Sequence, residues 1–288
     1  MTYPMIDQIP NTALILRWKP VAQEILSTVS QYFSHYFGCY LGIVLLGDNP
    51  GSQTYVAMKK KQGHTVWISC HVAESLTNTE EVLSQIHERN TDDLCVGILV
   101  QLPLPSWYDY GTIMQAIDPK KDCDWLGGVV LGQSLVGMSP IDPATPDAAL
   151  SLLDAYDLGD MQGKVCTILG QSNLIGKPLT AMIQARWGTV VSCNIDTPSS
   201  FVHQACQTSD YIFSATGVHW LINQRMVRHD QSQVIVDIGR GMRDGKAHGD
   251  CLTEELIPLV HAITPVPWWV WPMTIACLFR NIMRLHQA

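Results

Sequence analysis

Residues 163–178 read GKVCTILGQSNLIGKP, and this stretch decides the fold class. The apolar run Val165–Leu169 predicts a buried strand, and Gly170–Pro178 predicts a loop that opens a helix. A strand, a glycine loop and a helix N-terminus form the geometry that holds phosphate groups on backbone N–H groups. The stretch lacks the G-x-G-x-x-G spacing, so by itself it is a weak dinucleotide signal.

Apolar runs of strand length alternate with helical patterns on both sides of this stretch. The other predicted strands are Leu41–Leu46, Leu94–Val100, Thr189–Cys193, Tyr211–Ser214, Val234–Ile238 and His261–Val266; the other predicted helices are Lys19–Phe37, Ser52–Thr65, Glu80–Glu88 and Met273–His286. This alternation implies parallel sheets with right-handed crossovers. We predict an α/β protein of two domains, an N-terminal α/β catalytic domain and a Rossmann-like parallel-sheet dinucleotide-binding domain.

The predicted domain boundary lies at the Pro- and Asp-rich segment 140–146. It gives domains at residues 1–142 and 143–272, and we expect the last helix, residues 273–288, to pack back on the first domain.

Composition excludes several classes of protein. The 288 residues are 47% hydrophobic and 15% charged, with a net charge of −8, which argues against disorder and against a nucleic-acid surface. The nine cysteines form no C-x-x-C pair, so we expect no metal site and a reducing, cytoplasmic location. The N-terminus has no signal-peptide pattern. Residues 256–279 contain no Asp, Glu, Lys or Arg, but four prolines argue against a membrane span.

Two patterns in the first half are candidates for chemistry. Tyr55 and Lys59 are four residues apart on a predicted helix, so an aromatic ring and an amine share one face, although such a pair is usually only surface. Gln101 ends the buried run in GILVQLPLP, residues 97–105, where parallel sheets bind ligands. The structural alternative is an amide that only caps its own loop.

The acidic segment Asp118–Asp124 is a third candidate. The segment is compatible with a solvated turn. It is also compatible with a binding site in which a carboxylate holds the NH edge of a pterin-like ring by paired hydrogen bonds.

Taken together, these segments resemble the bifunctional methylenetetrahydrofolate dehydrogenase/methenyltetrahydrofolate cyclohydrolase family. The resemblance rests on the residues 47–59, GDNPGSQTYVAMK, on residues 97–105, on the DPKKDCD of residues 118–124 and on the GQSNLIGKP of residues 170–178. Each motif alone is weak, but their order and spacing over nearly the whole chain are specific. The family oxidises 5,10-methylenetetrahydrofolate with NADP+ and then hydrolyses the methenyl product to 10-formyltetrahydrofolate.

The resemblance implies roles for the candidate residues. Lys59 is expected to be the general acid/base of the hydrolysis, with Gln101 holding its charge state and position. Tyr55 is expected to stack on the folate, and Asp124 to anchor the pterin. Burial and a nearby cationic substrate both lower the pKa of a lysine, which favours loss of its proton near neutral pH. The remaining residues expected to bind the tetrahydrofolate derivative are Val100, Leu102, Pro267, Trp268, Trp271 and Thr274.

The same resemblance places the dinucleotide on Gly170, Gln171 and Ser172, with Ile195 and Arg240 on later strand ends. Many relatives have Arg where Gln171 stands and Ser where Ile195 stands. We predict NADP+ as cofactor and keep NAD+ as the alternative, which Asp196 after a strand favours, because an acid there can bind a ribose 2′-OH. The family also implies a homodimer.

The tryptophans depart from the family pattern. Residues 264–274 read TPVPWWVWPMT where the family has TPVPGGVGPMT, and Trp18, Trp67, Trp125 and Trp220 also stand at family glycines. Trp187 stands where glycine is frequent. We hypothesise that UGA codons read as glycine in the source were translated as tryptophan, so that all nine are glycines. The rival is a non-catalytic folate-binding relative with genuine tryptophans.

Overall fold

A computed structural model of the chain describes residues 12–125, 127–239, 241–243, 246–264 and 270–288. The chain divides into two compact units. Of the described residues, one unit comprises those of 12–21 and 145–274, and the other comprises those of 22–144 and 275–288. We call them the six-stranded unit and the three-stranded unit after their main sheets.

The elements alternate along the chain as an α/β protein requires. The described strands are β1 Leu14–Ile15, β2 Tyr40–Leu45, β3 Ser69–Ala73, β4 Cys95–Gln101, β5 Val165–Leu169, β6 Thr189–Cys193, β7 Tyr211–Ser214, β8 Val234–Asp237, β9 Gly241–Arg243, β10 Lys246–His248 and β11 Ala262–Ile263. The described α-helices are α1 Trp18–Phe33, α2 Pro50–Thr65, α3 Thr79–Thr91, α4 Tyr110–Gln115, α5 Gly128–Leu135, α6 Ala144–Ala155, α7 Gly176–Ala185, α8 Ser199–Thr208, α9 Thr253–Leu256 and α10 Val270–Gln287.

The three-stranded unit is built on a parallel sheet of order β3-β2-β4. All six residues of β2 are buried, which is why its sequence reads as one continuous apolar run. Helix α10 packs on the same unit: a Cβ on Gly63 of α2 would lie 3.3 Å from the Phe279 ring, and Asn281 Nδ2 donates to the Cys123 carbonyl at 3.2 Å.

The six-stranded unit has the strand order β1-β11-β8-β7-β5-β6, and each neighbouring pair runs parallel. Since β5 precedes both β6 and β7 and lies between them, the strand order reverses there. In open parallel sheets, ligands bind at the carboxyl ends of strands beside such a switch point. The loop that follows Leu169 at the end of β5 begins at this place.

The structure confirms the predicted fold class and most predicted strands; β5, β6 and β7 have the predicted bounds. Helix α1 ends at Phe33, four residues before the predicted Phe37, whose side chain is 87% exposed. Only the first part of the predicted strand His261–Val266 is described, because residues 265–269 lie outside the described residues.

The division of the chain differs from the predicted ranges 1–142 and 143–272 at the amino terminus. Strand β1 pairs in parallel with β11, so residues 12–21 cluster with the six-stranded unit. The division between Ala144 and Thr145 falls within the predicted boundary segment 140–146, and Pro146 lies in the first turn of α6, where a missing N–H costs nothing. Among the described helices, none is both long and apolar enough to cross a membrane.

Candidate active site

Helix α2 places the predicted tyrosine and lysine. Asn49 caps its N-terminus by accepting the Ser52 N–H at 3.1 Å, and Pro50 occupies the first position, where its fixed φ favours a helix. Tyr55 and Lys59 follow one turn apart, and Lys59 Nζ lies 5.6 Å from the centroid of the Tyr55 ring. The structure therefore brings the predicted pair onto one face.

Lys59 is buried, with 5% of its surface exposed. Its Nζ donates to Gln101 Oε1 at 2.8 Å, and Gln101 stands at the carboxyl end of β4 as the sequence predicts. Burial lowers the pKa of Lys59, and the negative charge of Asp124 opposes that shift. A lysine whose ammonium form is destabilised in this way can take up and release a proton nearer to neutral pH.

Asp124 lies in the turn that follows a bridge between Asp122 and Ile98 of β4. Burial raises the pKa of the Asp124 carboxyl to about 6, while the Lys59 charge acts in the opposite direction and that of Asp122 adds to the rise. Asp122 is buried and accepts the Gly127 N–H at 2.7 Å. The three predicted residues Lys59, Gln101 and Asp124 thus form one electrostatically coupled cluster, which we call the lysine pocket.

Sequence reasoning missed two thiols beside the lysine pocket. Cys70 Sγ lies 3.6 Å from the Lys59 carbonyl oxygen, and Cys123 is fully buried. Burial raises the pKa of Cys70 to about 11 and that of Cys123 well above the usual range, so both stay protonated near neutral pH. The two thiols therefore pack against the lysine pocket as weakly polar groups and do not act as nucleophiles. No spacing in the sequence signals their approach to Lys59.

The predicted substrate residues of β4 are both at the strand end. Val100 is fully buried and its side chain belongs to the core of the three-stranded unit. The carbonyl of Leu102 accepts hydrogen bonds from Ser52 Oγ at 3.2 Å and from Gln101 Nε2 at 3.0 Å. These bonds tie the exit of β4 to the start of α2 and fix the Gln101 amide, whose Oε1 accepts the hydrogen bond from Lys59 Nζ.

The loop after β5, residues 170–176, depends on two glycines. Gly170 has a φ of +107°, and a Cβ there would lie 2.6 Å from the Ala215 carbonyl oxygen at the end of β7. A Cβ on Gly176 would lie 1.9 Å from the Gly170 carbonyl oxygen. Helix α7 begins at Gly176 without a side-chain cap on its first N–H groups. Close main-chain approach at a strand switch point, next to a helix N-terminus, suits a phosphate ligand. We call residues 170–176 the glycine loop.

The polar side chains of the glycine loop are exposed. Gln171 Nε2 donates to the Ser192 carbonyl at 3.0 Å, and Ser172 Oγ accepts the Ile175 N–H at 3.1 Å. Ile195 lies just beyond β6 and is 94% exposed. The structure therefore places the predicted Gly170, Gln171, Ser172 and Ile195 on the carboxyl-terminal edge of the same sheet.

Part of the predicted site lies outside the described residues. Arg240, Pro267 and Trp268 lie outside the described residues, as does the side chain of Trp271. Thr274 is partly buried, and its Oγ1 lies 3.4 Å from Thr145 Oγ1.

Two family models match the chain. The catalytic domain of tetrahydrofolate dehydrogenase/cyclohydrolase matches residues 16–124, and the NAD(P)-binding domain of the same enzymes matches residues 143–288. The chain belongs to the tetrahydrofolate dehydrogenase/cyclohydrolase family. The lysine pocket lies in the range of the first model, and the glycine loop lies in the NAD(P)-binding domain.

Individual relatives of this tetrahydrofolate dehydrogenase/cyclohydrolase chain match nearly its full length. The bifunctional protein FolD of Mycoplasma mycoides subsp. mycoides is 35% identical over 283 residues, which cover 95% of this chain and 96% of the relative. A FolD methylenetetrahydrofolate dehydrogenase/cyclohydrolase from Campylobacter jejuni has a similar structure, with a TM-score of 0.88, 32% identity and coverage of 95% and 98%. The Trypanosoma brucei enzyme, solved with NADP and an inhibitor, has a TM-score of 0.89 at 25% identity, with coverage of 96% and 98%.

Proposed function

We propose that this chain oxidises 5,10-methylenetetrahydrofolate to the methenyl compound with NADP+ and then hydrolyses that product to 10-formyltetrahydrofolate. The single observation that carries the proposal is the lysine pocket: a buried Lys59 bonded to Gln101 and coupled to Asp124. Family membership and the relatives named bifunctional FolD support both activities.

In the hydrolysis, Lys59 acts as the general acid/base. Its neutral amine accepts a proton from the water that attacks the methenyl carbon, and the resulting ammonium returns the proton to the nitrogen that leaves. Gln101 Oε1 keeps Nζ in one position through the 2.8 Å hydrogen bond. Burial lowers the pKa of Lys59, so its neutral amine forms at a lower pH than that of an exposed lysine.

We propose that the tetrahydrofolate derivative is held by the remaining predicted residues. Asp124, with a pKa raised to about 6, is mostly ionised at neutral pH and accepts N–H groups of the pterin. The Tyr55 ring stacks on the folate, and Leu102 and the main chain of Val100 lie at the strand end beside it. Pro267, Trp268, Trp271 and Thr274 complete the proposed substrate set.

The glycine loop fits a dinucleotide, because it has no room for a Cβ at Gly170 and the N-terminus of α7 has no side-chain cap. We propose that Gly170, Gln171 and Ser172 hold its phosphates, with Ile195 and Arg240 alongside. The bound nicotinamide supplies the hydride acceptor of the oxidation. NADP+ is the proposed cofactor, since the Trypanosoma brucei relative was solved with NADP. We also propose a homodimer in the cytoplasm.

Two assays on one preparation test the proposal. Reduction of NADP+ with 5,10-methylenetetrahydrofolate measures the dehydrogenase, and decay of the absorbance of added methenyltetrahydrofolate measures the hydrolysis. They are run on the chain as written and on a chain with glycine at all nine tryptophan positions. We expect both activities in the glycine chain, with NADP+ preferred over NAD+. A folded glycine chain that lacks both activities would contradict the proposal and favour the non-catalytic relative.

A further inference from the structure

Tryptophans occupy backbone conformations that bulky residues avoid. Six tryptophans have both backbone and side chain described, and four of these have positive φ: Trp67 at 67°, Trp125 at 66°, Trp187 at 62° and Trp220 at 56°. Only a few per cent of non-glycine residues adopt such angles, and Asn, Asp and His are several-fold enriched among them. Chance therefore predicts roughly none among six, so the tryptophans share a cause.

The end of α7 shows what kind of residue Trp187 replaces. Helix α7 ends at Ala185 with Arg186 as its C-cap. The Trp187 N–H donates to the Gln184 carbonyl at 3.0 Å, and the Gly188 N–H donates to the Ile183 carbonyl at 3.1 Å. These two bonds define a Schellman cap, in which the left-handed residue is usually glycine. The Trp187 side chain is 80% exposed, so the indole gains little from this position.

The end of α2 repeats this arrangement. The helix ends at Thr65 with Val66 as its C-cap, and the Ile68 N–H donates to the Gly63 carbonyl at 3.0 Å. Trp67 is the left-handed residue between them, and its side chain is 60% exposed. Two helices of the chain thus end on a tryptophan in the position that favours glycine.

The other two positions are also turns. Trp220 is the third residue of a turn closed by the Leu221 N–H on the Val218 carbonyl at 3.4 Å, a place where positive φ selects glycine or asparagine. Trp125 follows Asp124 directly, and its indole N–H donates to Ser139 Oγ at 3.3 Å. Among the four left-handed tryptophans of the described residues, Trp125 alone is buried.

We infer that Trp67, Trp125, Trp187 and Trp220 are glycines in the functional protein. The backbone requires the residue that the family pattern places there, and a single change of codon meaning, UGA as glycine, explains all four. The inference does not rest on the proposed function, because helix caps and turns are independent of catalysis. It extends to the loop tryptophans 268, 269 and 271 through the same codon.

Peptide mass spectrometry of the protein from its native source tests the inference directly. We expect the peptides that contain positions 67, 125, 187 and 220 to have the lower mass of glycine, and the gene to have UGA at each codon. Tryptophan masses at these positions would overturn the inference, whatever the activity of the protein.

Recombinant variants test the backbone argument separately. We expect Trp67→Gly, Trp187→Gly and Trp220→Gly, each in the chain as written, to raise the folding equilibrium constant by about five-fold through relief of left-handed strain. The matched control is Trp107→Gly: Trp107 is 73% exposed and is not left-handed. Equal or larger stabilisation by the control, or destabilisation by all three variants, would overturn the inference.

A second observation concerns a buried carboxylate at the carboxyl ends of β7 and β8. Asp250 has no exposed surface, and its Oδ2 accepts hydrogen bonds from Ser214 Oγ at 2.6 Å and from the Thr216 N–H and Oγ1, both at 2.8 Å. Its own N–H donates to Asp237 Oδ1 at 3.1 Å. Asp250 thus ties together the segment that follows β7 and the end of β8.

The segment held by Asp250 is a wall of the glycine loop. Thr216 directly follows Ala215, whose carbonyl oxygen would lie 2.6 Å from a Cβ on Gly170. The Ala215 N–H donates to the Leu169 carbonyl at 2.8 Å. Movement of Thr216 would therefore displace the main chain that packs against Gly170.

We propose, as an addition that rests on the proposed function, that Asp250 is a positioning residue for the dinucleotide. It touches no reacting atom. Its carboxylate fixes the Ala215–Thr216 main chain and so keeps the space beside Gly170 open for a phosphate.

The test compares Asp250→Asn with Asp210→Asn in the parent that is active in the assays above. Asp210 Oδ2 accepts the Val165 N–H at 2.9 Å, so it ties the same sheet together at the opposite, amino-terminal edge. We expect Asp250→Asn to raise KM and Kd for NADP+ about ten-fold, with kcat and the hydrolysis unchanged, and Asp210→Asn to leave KM unchanged.

Equal effects of the two variants on KM, or none from Asp250→Asn, would overturn this role. If Asp250→Asn does not fold, Thr216→Val provides a second test. It removes one of the three hydrogen bonds that Asp250 Oδ2 accepts and should also raise KM for NADP+. Failure of the proposed function is distinguishable, since it appears as an inactive parent.

Discussion

The lysine pocket is formed by side chains, whereas the glycine loop is formed by the main chain. In the lysine pocket the side chains of Lys59, Gln101 and Asp124 carry the chemistry, and the chain as written contains all three. In the glycine loop the main chain makes the site, because Gly170 and Gly176 leave no room for a Cβ. A change from glycine to tryptophan therefore spares the first kind of site and damages the second.

The largest effect is expected in the lysine pocket. Lys59→Met should lower the rate of methenyltetrahydrofolate hydrolysis by about 10²- to 10⁴-fold, because the general acid/base is lost while a side chain of similar length fills its space. The decay of methenyl absorbance measures the rate.

The control is Lys60→Met, since Lys60 is the next residue on α2 and is exposed. It should keep the hydrolysis rate, and Lys59→Met should keep the dinucleotide Kd. An equal loss of rate in both variants would contradict the assignment of Lys59.

The next effect belongs to the glycine loop. Gly170→Ala should weaken dinucleotide binding by about 10- to 100-fold, because alanine is strained at a φ of +107° and its Cβ meets the Ala215 carbonyl. Calorimetric titration with NADP+ measures the Kd.

Gly163→Ala separates strain from close approach. Gly163 has a φ of +73° and no atom within 4 Å of an added Cβ. The Gly163→Ala variant should have a lower free energy of unfolding and an unchanged dinucleotide Kd. Weakened binding in Gly163→Ala as well would show that general destabilisation explains the result.

The same contrast explains what the sequence could predict. Strands β5, β6 and β7 are short apolar runs bounded by polar or glycine residues, and their predicted bounds agree with the structure. Strand β3 was not predicted, because Ser69 and His71 interrupt its apolar pattern; its pairing with β2 and the stacking of His71 on Tyr40, 4.0 Å between centroids, hold it in the sheet. Tertiary contacts thus override a weak local pattern.

The candidate site divides in the same way. A motif can name Lys59 and Gln101, but the 2.8 Å bond between them joins residues 42 apart in sequence. The approach of Cys70 to Lys59 and the tie between Asp250 and Thr216 leave no pattern in the sequence, because they depend on how separate strands are placed side by side. Left-handed φ at Trp67 and Trp187 is likewise a property of the cap, and the written residue conceals it.

A moderate effect is expected in the pH dependence of the hydrolysis rate, which the lysine pocket controls. Because burial lowers the pKa of Lys59, the fraction of neutral amine, and with it the hydrolysis rate, rises with pH through that lowered pKa. Gln101→Glu places a negative charge against Nζ, which favours the ammonium and raises its pKa. The acid limb of the rate profile should therefore move to higher pH by about one unit.

Gln53→Glu is the control for net charge, since Gln53 is an exposed residue of the same helix. Its pH profile should match that of the parent. An acid limb that moves to lower pH in Gln101→Glu would show that Lys59 is not the group that titrates.

The smallest effect compares two helix ends. Helix α6 ends in the same way as α7: the Leu158 N–H donates to the Leu153 carbonyl at 2.9 Å, and the left-handed residue is Asp157 with a φ of 57°. Asp and Asn tolerate this conformation because a short polar side chain can bond locally, whereas an indole cannot. Trp187→Asn should thus stabilise the chain as written by about 0.5–1 kcal/mol, measured by urea denaturation.

Trp107→Asn removes an exposed indole at a position that is not left-handed and should give no such gain. If the two variants change the free energy of unfolding equally, loss of an exposed apolar surface would explain both, and the strain at Trp187 would be negligible. A gain only at position 187 would mean that the cap of α7 tolerates any residue suited to positive φ. Position 187 would then require only a residue that tolerates positive φ. Position 59, by contrast, requires a particular side chain.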